Sequence, residues 1–502
     1  MLAYEELNAA EQRLWNAFPT GAMVDLRAGD ESADAPDGAG VPSGERTVRA
    51  AVIVALLLRS LEGAAAVSGL RLAGARITGQ LDLSSARVEH RIRLEHCHFD
   101  EKVVLRGAAL RTTELIGCRI PGLDGWLLRV DGNLFFEDSV LEGRLTLTRA
   151  HITGELRLSG ARLTASELVG EAGNDPARPS GAWALWAGGL VMEGGCFVRH
   201  GFTSRGGLRL PGAQFNGGLF MERARIENPG GDALTGDDLV ASTMMLCDGF
   251  TATGAVRLPG ATVRSRLSLD SAVLKGDDTA LDATRLTAGD LRFTPASTPE
   301  GAVDLQGAQV GVVHDNEDSW PPHTRLNGFV YTSIQSRVPF AQRLGWVERA
   351  PGYTPQPYEQ LAMWYRRIGH DDDARRVLLA KQRRRRGTLR PLGRAWGRIL
   401  DVTVGYGYRP WQAGMWLLGL VVLGAVAFDQ GTPSPVQSDQ KTAPFNAFVY
   451  TLDLLIPIGG FGQRTAWYWT GPLQWLGYSL IAAGWILTTA VVAGVTRALN
   501  RN

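Results

Sequence analysis

From Leu70 onward, apolar and polar residues alternate in short bursts that recur every eleven positions. LRLAGARI begins at Leu70, LDLSSARV at Leu81, IRLEHCHF at Ile92 and VVLRGAAL at Val103. TELIGCRI arrives one residue early at Thr113, and the phase returns at Leu134, Leu145, Leu156, Leu208, Leu219, Val256 and Leu267. The unit reads L-x-L-x-x-A-x-Φ-x-x-x, where Φ is a large apolar residue. Alternation at the first and third positions predicts a strand with one face inward. The small sixth residue predicts a tight corner, and glycines between units the turns. Apolar sites at positions 1, 3 and 8 of eleven give no single helical stripe, so a helix cannot hold this pattern. The expected fold is therefore mostly β: a β-solenoid over 67–320 built of half-coils of about eleven residues. Two units form a coil of about 22 residues, each burying one layer of Leu, Ile and Val against the next. Positions 75, 97 and 118 should then stack, placing Cys97 nearly over Cys118. The stretches 121–133, 164–207 and 227–254 break the period and are expected to bulge as loops. VDLQGAQV at 303–310 is the last recognisable unit.

The flanks follow other periods. Residues 1–66 read as a helical N-terminal cap, with YEELNAAEQRLWNAF and RTVRAAVIVALLLRSLE as its helices. Residues 321–400 read as a helical hairpin followed by a basic juxtamembrane segment. There Tyr358, Leu361, Ala362, Tyr365 and Ile368 share a face between Pro357 and Gly369. DDDARRVLLAKQRRRR places acids first and bases last, as the helix dipole prefers. In outline this hairpin resembles one tetratricopeptide repeat.

Residues 401–502 form the most apolar part. Trp411–Phe428 and Leu473–Val495 are uncharged runs of 18 and 23 residues. At about 1.5 Å per residue they approach or exceed a bilayer's ~30 Å hydrocarbon layer. Trp411, Trp467, Tyr468, Trp469 and Trp475 flank them as interfacial anchors would. Between them lies FNAFVYTLDLLIPIGGFGQ, residues 445–463, apolar yet too short to cross. It predicts a short helix over 445–456, ended by Pro457, then extended glycine-rich backbone: a re-entrant segment of a two-helix transmembrane module. Such backbone is tolerated at membrane depth only against protein or water. A carboxylate there, Asp453, is a functional candidate by its cost. It would either attract cations or hydrogen-bond the glycine loop from behind. The alternative is an interfacial carboxylate that only caps a helix.

Charge fixes the expected orientation. The 502-residue chain carries a formal charge of +1, which gives no argument for nucleic acid, and none is expected as a partner; its bases, however, are unevenly placed. Ten lie between 375 and 398, against Lys441 and Arg464 in the loop 429–472. The positive-inside rule then puts both termini in the cytoplasm of a multi-pass inner-membrane protein, with the solenoid in the cytosol. The N-terminus has no basic stretch followed by an apolar core, so no signal peptide is read. Arg383, Arg384, Arg385, Arg386 and Arg390 are candidates for binding membrane lipid headgroups.

Catalytic signatures are missing. There is no GxxxxGK phosphate loop, no GxGxxG between strand and helix, and no GxSxG elbow. The four cysteines form no CxxC, and alternation along a strand turns His96 and His98 away from Cys97. No catalytic residue, metal site or cofactor is expected.

The repeat resembles bacterial pentapeptide-repeat-like and related β-helical proteins, without their five-residue period. Proteins of this look, with GARI-type repeats and a membrane tail, are sometimes labelled membrane-associated oxidoreductases, and the resemblance implies that activity as one possibility. Outer helix, short helix, GGFGQ and inner helix resemble the pore module of the potassium-channel superfamily, whose filter reads T-V-G-[YF]-G-D. Gly460, Phe461 and Gly462 match G-F-G, Gln463 replaces Asp, and Ile458 and Gly459 stand where Thr-Val would be. The resemblance covers about residues 410–497. It implies a homo-oligomer, a tetramer by analogy, that passes a monovalent cation. The competing expectation is a membrane-tethered scaffold whose solenoid binds a protein partner.

Overall fold

The computed structural model describes residues 4–27, 29, 44–59, 69–165, 182–350, 352–407, 410–436, 444–456 and 460–499. It divides into two compact units, Met1–Gly352 and Tyr353–Asn502.

The first unit is a β-solenoid of about 11 turns whose strands stack in parallel. Leu70 pairs with Ile92, Ile92 with Thr113 and Thr113 with Leu134, then Leu156. The column continues through Cys196, Leu219, Met244, Leu267, Leu291 and Val313 to Ile334. Successive partners stand 21 to 25 residues apart, except Leu156 and Cys196, between which 166–181 lie outside the described residues. The stack thus runs beyond 310, to the strand Val330–Ile334.

The tight turn lies inside each unit, just before the small corner residue. The fifth residue takes a left-handed backbone: Gly74 (φ 70°), Ser85 (57°), His96 (48°), Gly107 (63°), Gly117 (58°), Leu127 (56°) and Asp138 (55°). The next N–H closes the turn, as from Ala86 to the Leu83 carbonyl at 3.0 Å. The left-handed residue donates to the following coil, as from Ser85 to the Arg106 carbonyl at 2.8 Å. Glycine is therefore favoured but not required, because ladder bonds from both neighbouring coils impose the conformation. Along one corner Gly74, His96, Gly117, Asp138 and Gly160 alternate with a physical cause. A Cβ at Gly117 would stand 2.8 Å from His96 Nδ1, and one at Gly160 would strike the Asp138 carboxylate.

Two of the expected loops are ordinary coils. Leu123–Asp124 and Arg129–Phe135 carry the stack through 121–133. Arg225–Thr235, Val240–Ala241, Met244–Met245 and Thr251–Arg257 carry it through 227–254. The third, 164–207, contains the residues outside the description, but Trp183–Trp186, Val191–Met192, Cys196–Phe197 and Thr203–Arg205 are coil strands. Complementary volume hides these units from a letter pattern. Where the third position shrinks to Gly125 or Gly236, the sixth grows to Leu128 or Leu239. Their Cδ atoms lie 3.2 and 3.0 Å from where a Cβ would sit on the glycine. Close packing conserves the sum and not the individual residues.

Both ends of the stack are closed. Helix α1 (Ala9–Ala17) opens on an Asn8–Glu11 capping box. The fully buried Glu11 receives Arg49 Nε at 2.8 Å and Nη2 at 2.7 Å. Arg49 is the cap residue of α2 (Ala50–Leu57). Val24–Asp25 and Thr47–Arg49 add strands to the first coil. At the far end, α3 (Phe340–Glu348) inserts Arg343, whose Nη1 and Nη2 reach the buried Asp315 carboxylate at 2.7 and 2.8 Å. Trp320 Nε1 donates to the same carboxylate at 2.7 Å.

The second unit is helical: α4 (Gln356–Arg367), α5 (Asp371–Gly387), α6 (Pro391–Val404), α7 (Pro410–Asp429), α8 (Ala447–Leu455), α9 (Gln463–Ala466) and α10 (Pro472–Leu499). Leu361, Ala362 and Tyr365 of α4 and Ala374, Val377 and Leu378 of α5 are buried in the hairpin these helices make. Among the described residues one helix, Trp411–Asp429, is long and apolar enough to cross a membrane, and only 22% of it is buried. The second expected span falls within the 28-residue helix α10.

Candidate functional site

Helix α8 is the short element of 445–463. Asn446 starts it, its Oδ1 accepting from Val449 N at 3.1 Å. It packs against both long helices, and glycines make the approach possible. A side chain at Gly424 of α7 would collide with Thr451, and one at Gly484 of α10 with the Leu455 backbone. Small residues at such crossings let helix backbones approach closely. Val421, Phe428, Tyr450, Leu454, Leu455, Trp469 and Leu480 fill the space between the three helices.

Asp453 sits inside this cluster with no exposed surface. Its Oδ1 accepts from Phe461 N at 3.0 Å, and its Oδ2 from Arg464 N at 2.9 Å. One carboxylate thus ties Phe461, in the middle of Gly460–Gly462, to Arg464, the second residue of α9. A trans peptide sets its C=O opposite its N–H. The Phe461 N–H points at Asp453, so the Gly460 carbonyl points away from it.

Gly460, Phe461 and Gly462 are exposed, Phe461 by 54%. Gly462 takes the left-handed conformation (φ 78°) and precedes α9. Gln463 turns the other way and is buried. Its Nε2 donates to the Pro444 carbonyl at 3.2 Å, and its Oε1 accepts from Asn446 N at 3.4 Å. It therefore ties the loop's exit to the start of α8. Ile458 and Gly459, the other filter candidates, lie outside the described residues.

The basic candidates separate into two groups. Arg383 and Arg386 reach Asp401 of α6 at 3.0 and 3.1 Å. Arg384, Arg385 and Arg390 are exposed.

Elsewhere, Cys97 and Cys118 are buried in successive coils, each thiol against a backbone carbonyl, at 3.3 Å from Glu95 O and Leu94 O. Burial, and then the neighbouring Cys97, push the Cys118 thiol well up. No group of three metal-binding side chains occurs among the described residues. A groove of about 300 Å³ on the solenoid is lined by Arg87, Glu89, Arg111, Asp131 and His151. Its charges pair internally, Arg87 with Glu89 at 2.7 Å and Glu89 with Arg111 at 2.9 Å.

Sequence reasoning missed Gly424, Gly484 and Asp401. The glycines carried a signal, since each sits within an apolar run on a different helix. Asp401 did too, as the first acid downstream of ten bases. Compared with known proteins, the chain matches no protein-family model, no curated protein and no solved structure.

Proposed function

We propose that the second unit is the membrane-embedded pore domain of a homo-oligomeric channel for a monovalent cation, with the β-solenoid on the cytosolic side. One observation carries this reading: the buried Asp453 carboxylate takes the Phe461 N–H, which turns the Gly460 carbonyl away from that carboxylate. An anchor needs no such device. Backbone carbonyls replacing a hydration shell are what cation conduction requires. One copy cannot enclose a pore, so several must surround an axis, four by analogy with the resembled module. The two long helices α7 and α10 would both cross the bilayer. The uncharged run of α10 and the charge asymmetry around the loop support that topology.

The test is cation flux into liposomes containing the full-length protein, beside Gly460→Asp and Asp453→Asn. A Cβ at Gly460 has only Gly462 N within 4 Å, at 3.9 Å, so Gly460→Asp leaves the subunit's packing intact. Selective flux in the natural protein, lost in both variants, supports the channel. Absence of flux from a correctly inserted protein overturns it in favour of the membrane-tethered scaffold. A bound chromophore on purification would favour the oxidoreductase instead.

A further inference from the structure

Helix α6 joins the cytosolic-type hairpin to the apolar α7, and three contacts fix its place in this unit. Asp401, near its end, is held by Arg383 and Arg386 of α5. Gly397, one turn earlier, lies against the same Arg386: a Cβ there would stand 3.1 Å from its Cδ and 2.8 Å from Tyr406 Oη. On α7, Trp416 Nε1 donates to the Val402 carbonyl at 3.0 Å. The C-terminal end of α6 therefore runs beside the first turns of the membrane-candidate helix, at the depth where that helix would leave the hydrocarbon.

One side of α6 is thus occupied by α5. Arg394 and Arg398 are exposed, one turn apart, and Val402 follows a turn later, also exposed. Arg390, exposed just before α6, precedes them: its carbonyl accepts from Arg394 N at 2.9 Å. Three guanidiniums at four-residue spacing thus lead to the apolar α7. Asp401, the one acid of α6, is engaged by Arg383 and Arg386 of α5.

We propose that α6 lies in the headgroup layer of the bilayer and that Arg390, Arg394 and Arg398 bind the phosphates of anionic phospholipids. The proposal rests on the membrane reading of the second unit. It deepens that reading by naming the lipid class and by moving the site from the Arg383–Arg386 run to α6. Arg383 and Arg386 are positioning residues here: they orient α6 through Asp401 and do not face the lipid. The charge pattern and its place beside α7 fit a lipid surface, since guanidinium matches phosphate geometry and each base near an anionic surface adds attraction.

The experiment places a single environment-sensitive label on α6 through Ala395→Cys, an exposed position. The native cysteines are buried, so the new thiol is labelled selectively. The full-length protein is reconstituted into phosphatidylcholine vesicles with or without phosphatidylglycerol. Flotation with both vesicle types checks the membrane reading by itself, and failure to float sinks that reading. Given flotation, the label should shift to a less polar environment as phosphatidylglycerol is titrated in. The half-point should need about fivefold more anionic lipid for each arginine removed, read with R394Q and with R394Q/R398Q. A label indifferent to phosphatidylglycerol in the natural protein overturns the proposal without any variant. So does an equal shift produced by inorganic phosphate over phosphatidylcholine, which would make the row a site for free oxyanions. R385Q, in the same run but with no part in holding Asp401, should leave the titration half-point unchanged, and an equal loss there would return the site to the Arg383–Arg386 run.

Discussion

The two units solve the problem of where to put apolar surface in opposite ways. Among the described residues of the solenoid, five large hydrophobic side chains are exposed: Tyr4, Leu58, Trp126, Leu127 and Val330. Among its described residues the smaller second unit exposes twenty, including Leu418 at 65% and Trp475 at 72%. Scattered exposed hydrophobics are normal for a protein in water, whereas a field of them on adjoining helices is a surface built for another medium or another copy. Polarity follows the same inversion. In the solenoid, charge pairs line the outside and the ends, while in the second unit a carboxylate sits at the centre of a helix cluster.

The sharpest way to break the contrast is to uncap the solenoid. Arg343→Met strands the buried Asp315 charge and should cost about 3–5 kcal/mol of solenoid stability, read as an earlier loss of β circular dichroism in denaturant. Adding Asp315→Leu should restore most of it, which a merely steric role for Arg343 would not allow. Next, Leu418→Arg should cost about 2.5–3.5 kcal/mol of membrane insertion, read as lost flotation with liposomes, while Trp126→Arg in the solenoid should leave flotation and unfolding unchanged. Equal behaviour of the two would erase the difference between the units. Asp453→Ala should cost about 1–3 kcal/mol locally. Its signature is faster hydrogen exchange at the Phe461 and Arg464 amides, with the long helices unaffected.

Acid should act on the first unit from its N-terminal end. Burial by itself would raise the Glu11 carboxyl, but hydrogen bonds from Arg49 and Asn8 outweigh it and hold the group below its ordinary 4.5. A carboxyl lowered by folding contributes stability above its unfolded value and loses it as pH falls through the folded one. Exchange at α1 amides should therefore rise below about pH 4.5, and Glu11→Gln should flatten that dependence. The smallest expected effect is a gain: Leu127→Gly relieves a left-handed backbone on a bulky residue and should stabilise the solenoid by up to about 1 kcal/mol. Destabilisation instead would mean that the partly exposed Leu127 side chain contributes more than its backbone costs.

Much of the solenoid was legible in the letters, because Leu70, Leu72 and Ala75 keep one role through many coils. What stayed hidden was compensation. Gly125 with Leu128 and Gly236 with Leu239 fill the same space as Leu with Ala, and a residue-by-residue pattern cannot register a conserved sum. Glycine misled in another way, since Leu127, Asp138 and His96 hold the same left-handed turn under constraints from neighbouring coils. In the candidate site, Asp453 and the glycine loop stood out by composition alone. The bonds from Phe461 and Arg464 did not, because they join positions eight and eleven residues apart through a turn whose path no periodicity encodes. Gln463 stood in place of the filter's Asp in the resemblance, yet its amide braces Pro444 and Asn446.

Stacked left-handed corners have an arithmetic consequence. Because each coil pairs strand for strand with the next, the first unit has a length counted in whole coils, each adding about 4.8 Å. Duplicating or deleting one coil's worth of sequence would lengthen or shorten this ruler by one graduation and leave both closed ends intact. Its eleven or so graduations measure about 50 Å. Reach is therefore a quantity that such a chain changes in integers, by copying itself, while everything it carries stays the same.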